Sequence, residues 1–128
     1  VDEKYYLAHC ISDDFALGKG IAVEFRNRYN MGIKLRKQYP NGLGGAGCVL
    51  IDNTFNLITK EKYWHKPTYF TLKKALQDMR EIVVERDIKY IAMPKIGCGL
   101  DRLEWTNVKG IINKVFGGLD IEILICRL

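Results

Sequence analysis

Two residues carry side chains suited to covalent and acid–base work, Lys60 and Asp101. A lysine amine is a nucleophile toward a carbonyl or a masked aldehyde, but only when neutral, which requires burial or a cationic neighbour. Lys62 and Lys66 are near enough in sequence to supply that charge. A solvated lysine is nevertheless the commonest state of this residue, and spacing alone would not single Lys60 out. Asp101 ends a glycine-bearing loop where a helix begins. Such a carboxylate can act as a general base, cap the helix or pair with the adjacent Arg102.

Anion binding is the second chemistry the sequence offers. Ser12 to Gly20 and Ile96-Gly97-Cys98-Gly99-Leu100-Asp101 each follow an apolar strand-like segment and precede a helical one. In open α/β sheets ligands bind beyond the carboxyl ends of strands, where helix N-termini present N–H groups and glycine lets the backbone approach. Gly18, Gly20, Gly97 and Gly99 could instead merely turn the chain. Gly42-Leu43-Gly44-Gly45-Ala46-Gly47 matches GxGxxG, but a helix precedes it and a strand follows, the reverse of a dinucleotide fingerprint. It is read as a flexible turn with no cofactor role. His9, set among apolar residues, is expected to be a hydrogen-bonded interior histidine, and Trp105 to be core. The basic run Arg26, Arg28, Lys34, Arg36, Lys37 is expected to form a solvated helix face, with nucleic-acid contact as the lesser reading.

These residues need a scaffold, and the hydropathy pattern describes one. Tyr5 to Ile11 reads as a buried strand, with Ser12-Asp13-Asp14 breaking it. A helix starts at Ile21, and a second runs from Met31 to Gln38 ahead of Pro40. Cys48–Ile51 and Phe55–Thr59 read as strands joined at Asp52-Asn53-Thr54. Pro67 opens the longest helix, with Tyr69, Leu72, Leu76, Met79 and Val83 on one face. Lys89–Met93 is a short strand, Lys95–Leu103 a loop, Glu104–Phe116 an amphipathic helix stopped by Gly117-Gly118, and Ile121–Cys126 a final strand. The order predicts an α/β fold around a largely buried mixed sheet.

Composition narrows the function classes. With 128 residues, 48% hydrophobic and 27% charged, the chain is expected to form one domain without disorder or repeats. A net charge of +5 suits a phosphate-bearing ligand as well as plain solubility. The longest apolar runs fall far short of the ~20 residues of a membrane span, so no membrane partner is expected. Cys10, Cys48, Cys98 and Cys126 lack CxxC spacing and are expected to be small buried hydrophobes in a reducing compartment. With two histidines no zinc site of familiar spacing can be written, and no cofactor is expected. The chain opens Val1-Asp2-Glu3-Lys4 without an initiator Met, which leaves open whether an N-terminal piece precedes it.

Taken together, Leu7 to Asp14, Gly18-Lys19-Gly20-Ile21-Ala22, Leu57-Ile58-Thr59-Lys60, His65-Lys66-Pro67-Thr68-Tyr69 and Met93 to Leu103 resemble, in that order, the macrodomain family and its terminal ADP-ribose protein glycohydrolase branch. The resemblance runs from about Leu7 to the C-terminus. It implies a single three-layer α/β/α macrodomain over residues 1–128 that binds ADP-ribose at the strand ends. It implies a Lys60 nucleophile that attacks the anomeric carbon of the distal ribose, and Asp101 as the general base that resolves the adduct. Ser12, Gly18, Gly20 and Ile21 match a loop around the distal ribose and pyrophosphate. Gly97, Cys98, Gly99 and Leu100 match a second loop that holds the pyrophosphate, and Thr59, Pro94 and Ile96 complete the implied binding set.

The expected function is therefore removal of mono-ADP-ribose from Glu or Asp side chains, with O-acetyl-ADP-ribose as a further substrate. The alternatives are a non-catalytic ADP-ribose reader and de-ADP-ribosylation of DNA nucleotides. The expected partners are ADP-ribose, ADP-ribosylated protein or ADP-ribosylated DNA, met by a monomer in the cytoplasm, or in the nucleus of a eukaryote. One departure stands out. Family members carry, ahead of the Leu7 strand, another strand ending in Gly-Asp-Leu, whose aspartate holds the adenine. Val1–Lys4 cannot supply it, so either the natural protein begins earlier or this chain lacks that anchor.

Overall fold

The computed structural model describes residues 4–16, 30–98 and 102–126. Among these the chain forms β1 (Tyr6–Ser12), α1 (Met31–Gln38), β2 (Gly47–Ile51), β3 (Thr54–Lys60), α2 (Tyr69–Glu85), β4 (Tyr90–Met93), α3 (Trp105–Val115) and β5 (Glu122–Ile125). The strands make one sheet in the order β2-β3-β1-β4-β5, parallel throughout except for the β2–β3 pair. The carboxyl ends of β1, β3, β4 and β5 therefore lie along one edge.

Why the sheet carries helices on both faces follows from β3. Thr54 through Thr59 are all buried, and alternate side chains point to opposite faces. Phe55 and Leu57 join the larger core with Leu72, Leu76 and Met79 of α2 and Val108 and Ile112 of α3. Ile58 joins the smaller core with Ile11, Met31, Leu35, Val49 and Ile51. Helices α2 and α3 thus cover one face and α1 the other, which gives the three-layer α/β/α arrangement.

Local signals set the boundaries. Helix α2 starts two residues beyond Pro67, because Thr68 takes the N-cap and exchanges capping-box hydrogen bonds with Thr71. The β2–β3 hairpin turns on Asp52, whose φ is +54°. Strand β1 runs one residue further than its apolar pattern, and Ser12 pairs with Lys60 across a register shift after Ile11. The sheet is buried at its centre but open along β5, an edge strand on which Leu124 is 42% exposed. The expectation of a largely buried sheet therefore fails at that edge. The four cysteines are only partly buried, and burial pushes the Cys48 thiol well above its ordinary range, with Asp78 and Cys10 adding to the effect. No helix among the described residues is long and apolar enough to cross a membrane.

Candidate active site

Lys60 is the last residue of β3, beside Ser12 at the end of β1. A strand terminus between two paired neighbours is a rigid mount for a side chain. The backbone N–H of Asp13 donates to the Lys60 carbonyl at 2.9 Å, which extends the pairing past the register shift.

Two adjacent carboxylates organise what surrounds it. The side chain of Asp13 accepts the N–H groups of Leu43 at 2.6 Å and Gly44 at 2.9 Å. Asp14 accepts the Ser12 hydroxyl, the Ala16 N–H at 3.1 Å and the Tyr63 N–H at 3.0 Å. Partial burial pushes the Asp14 carboxyl up. The hydrogen bonds from Ser12, Tyr63 and Ala16, with the charge of Lys62, more than offset this and hold it below its usual value. Phe15, buried at φ +56°, continues the turn, and its carbonyl accepts from Arg36 at 3.0 Å.

These ties frame a cavity of about 460 Å³, walled by Asp13, Asn41, the turn Gly44–Ala46, the strand end Thr59–Lys60, Glu61–Lys62 and Thr71. Thr59 is 1% exposed, and among the described residues its hydroxyl has no hydrogen-bond partner. A buried hydroxyl without a partner costs free energy.

The second loop is built differently. Ile96 is buried in the larger core, so its side chain anchors the loop and only its backbone is available to a ligand. Gly97 has φ +73°, and a Cβ there would meet Leu103 at 2.9 Å. The Leu103 N–H donates to the Gly97 carbonyl at 2.8 Å and closes the loop at its base.

Of the residues expected to form the site, Ser12, Thr59 and Lys60 are brought together on adjoining strand ends. Pro94, Ile96, Gly97 and Cys98 follow β4, the other neighbour of β1. Gly18, Gly20, Ile21, Gly99, Leu100 and Asp101 lie outside the described residues, as do Arg26 and Arg28 of the basic run. His9 is fully buried and bonded through Nε2 to Asn56 Oδ1 at 2.6 Å, an interior histidine as expected. Trp105 packs against the larger core, with Lys95 above its ring.

Sequence reasoning passed over Asp13, Asn41, Glu61, Thr71 and the Gly44–Ala46 turn. That turn takes part in the cavity wall and is clamped by Asp13, so it is not the loose connection expected of it. Two aspartates directly after a strand were the available signal for the clamp.

The sequence model described as Macro domain matches residues 9–112. The human protein named ADP-ribose glycohydrolase OARD1 is 40% identical over 124 residues, covering 95% of this chain and 81% of that protein. A Mycobacterium tuberculosis protein named DNA ADP-ribosyl glycohydrolase is 28% identical over 121 residues, 85% of this chain and 34% of that protein. Among solved structures, the macrodomain of Mycobacterium tuberculosis DarG superposes with a TM-score of 0.76 at 25% identity, covering 93% of this chain and 86% of that one. DarTG of Thermosipho africanus, solved in complex with ADP-ribose, superposes with a TM-score of 0.72 at 21% identity, covering 98% of this chain and 40% of that one.

Proposed function

The chain belongs to the Macro domain family, and we propose on that premise that it is a hydrolase releasing mono-ADP-ribose from ester linkage to Glu or Asp side chains. The observation that carries this is that Lys60 lines a cavity at the end of β3, with the buried Thr59 beside it in the same wall. Its 40% identity with a protein named an ADP-ribose glycohydrolase supports the same reading.

In the proposed reaction neutral Lys60 Nζ attacks the anomeric carbon of the distal ribose. The C–O bond to the acyl group breaks, and the side-chain carboxylate leaves with the electron pair. Asp101 takes a proton from the new ammonium. Asp101 returns that proton to the ring oxygen as the amino sugar opens to a protonated Schiff base, the adduct a lysine forms with a masked aldehyde. Water, deprotonated by Asp101, adds to that carbon, and expulsion of the lysine amine frees ADP-ribose. The sum is ester plus water giving acid plus ADP-ribose, with no oxidant or reductant. O-acetyl-ADP-ribose, another acyl ester of the same sugar, is the proposed second small substrate. The DNA-directed reading is kept because of the similarity to the DNA ADP-ribosyl glycohydrolase.

The test is Lys60→Ala assayed on a mono-ADP-ribosylated acceptor. The expected outcome is no release of ADP-ribose, with ADP-ribose affinity within a few-fold of wild type. If wild type binds ADP-ribose and releases none from the acceptor, the protein is a reader. If Lys60→Ala turns over normally, the nucleophile lies elsewhere.

A further inference from the structure

Three residues beyond Lys60 the chain exposes an aromatic cluster that the hydrolytic chemistry does not use. Trp64 is 61% and Tyr63 49% exposed. Their rings meet edge to face at 5.0 Å, and Trp64 meets His65 in the same way at 5.5 Å. Leaving two large rings in water forgoes their burial, yet the turn that carries them is firmly built. The His65 N–H donates to the Lys62 carbonyl at 3.0 Å, the Lys62 N–H to His65 Nδ1 at 3.3 Å, and the Tyr63 N–H to Asp14. The last bond fixes the aromatic turn to the end of β1, beside Lys60. Lys62 and Lys66 bracket the rings within the same turn, against one acidic residue, Glu61, and the whole chain carries +5.

A rigid, exposed aromatic surface set between cations is the pairing that holds single-stranded nucleic acid, with bases stacked on rings and phosphates against lysines. We propose that Tyr63, Trp64 and His65 form a stacking platform for an unpaired base of single-stranded nucleic acid lying next to the Lys60 cavity. The platform receives a base adjoining the modified nucleotide and directs the site toward an ADP-ribosylated strand. This rests on Lys60 being the reacting group, but the binding surface can be tested without turnover.

The experiment titrates the full chain with an unmodified, fluorescein-labelled single-stranded 12-mer and reads anisotropy together with intrinsic tryptophan emission. Wild type should bind with quenching, and Trp64→Ala should weaken binding about tenfold and remove the quench. Trp64→Phe should keep affinity within about threefold, since a ring still stacks. Log affinity should fall with log salt at about −0.7 per phosphate engaged, so between −1 and −2 here. Release of ADP-ribose from a protein acceptor should be unchanged by Trp64→Ala. Unaltered oligonucleotide affinity in Trp64→Ala, or binding without salt dependence, overturns the platform. So does quenching by ADP-ribose alone, which would make the ring an adenine contact. Stacking by the oligonucleotide together with normal turnover in Lys60→Ala refutes the nucleophile while sparing the platform.

Discussion

Acidification should destabilise this protein well before its carboxylates titrate, because His9 is buried in its neutral form. Asn56 Nδ2 donates to the carbonyls of Val49 and Thr54, so its Oδ1 faces His9 and accepts from an Nε2–H tautomer. Burial lowers the His9 pKa from 6.5 to about 4, with the Asn56 hydrogen bond opposing the shift in part. The unfolded chain takes up this proton below its ordinary pKa while the folded chain does not. The unfolded state therefore gains on the folded one as pH falls from 6.5 toward 4, and stability rises with pH across that window. The full difference is about 3 kcal/mol, of which about 2 kcal/mol is lost by pH 5. At the usual entropy of unfolding per residue this lowers Tm by roughly 7 °C. Thermal melts followed by circular dichroism at pH 7.5 and 5 measure it. His9→Gln, which does not titrate and can still donate to Asn56, should flatten the slope while costing stability at both values. An equal slope in wild type and His9→Gln refutes the assignment of His9 as the source.

Two further substitutions probe the frame of the site. Asp13→Ala frees the N–H groups of Leu43 and Gly44 and should cost about 1–2 kcal/mol, read by denaturant unfolding. Gly42→Ala places a Cβ at φ +73° and 2.7 Å from the Asp13 carboxylate, so it should cost at least as much, and the double variant should cost less than the sum because both break one clamp. Additive effects would show that the clamp does not exist. Thr68→Ala removes the capping box of α2 and should cost about 1 kcal/mol, or roughly 4 °C in Tm. An unchanged melt would place the helix start elsewhere.

How far these features were legible in the sequence depends on the range of the interaction that sets them. Met31–Gln38 and the apolar face of α2 follow from periodicity and from Pro40 and Pro67, and the structure matches them closely. Strand β1 ends one residue later than its pattern because Ser12 pairs with Lys60, a contact between residues 48 apart that no local signal carries. The openness of β5 is likewise a matter of edge position, since Ile123-Leu124-Ile125 reads as a buried strand in isolation. Lys60 could be placed at a strand end from its neighbours, and His9 could be assigned to the interior from its apolar setting. The cavity wall was hidden for the same reason as the pairing of Ser12. The segment holding Asn41 and the glycine turn, and Thr71 at the start of α2, come together with the strand ends only in the folded protein. The turn also looked idle because its donors are satisfied by Asp13, some thirty residues away.

The two aspartates after β1 divide the work of holding the site, and their pairing explains why the chemistry and the aromatic turn can act together. Asp13 binds the glycine turn, and Asp14 binds the aromatic turn. Both stem from a strand end hydrogen-bonded to Lys60 itself. A base stacked on Trp64 is thus tied through Tyr63 and Asp14 to the backbone that carries the nucleophile, so strand position and amine position are set by one rigid unit. The linkage also keeps to its own pH range. The carboxyl of Asp14 is held below its ordinary value, so its contribution is complete above about pH 4 and is lost only as pH falls through the lower folded value. Between about 4 and 7 the hydrogen bonds of Asp14 persist while His9 erodes the core, so stability lost in that range should come from the core and not from the aromatic turn.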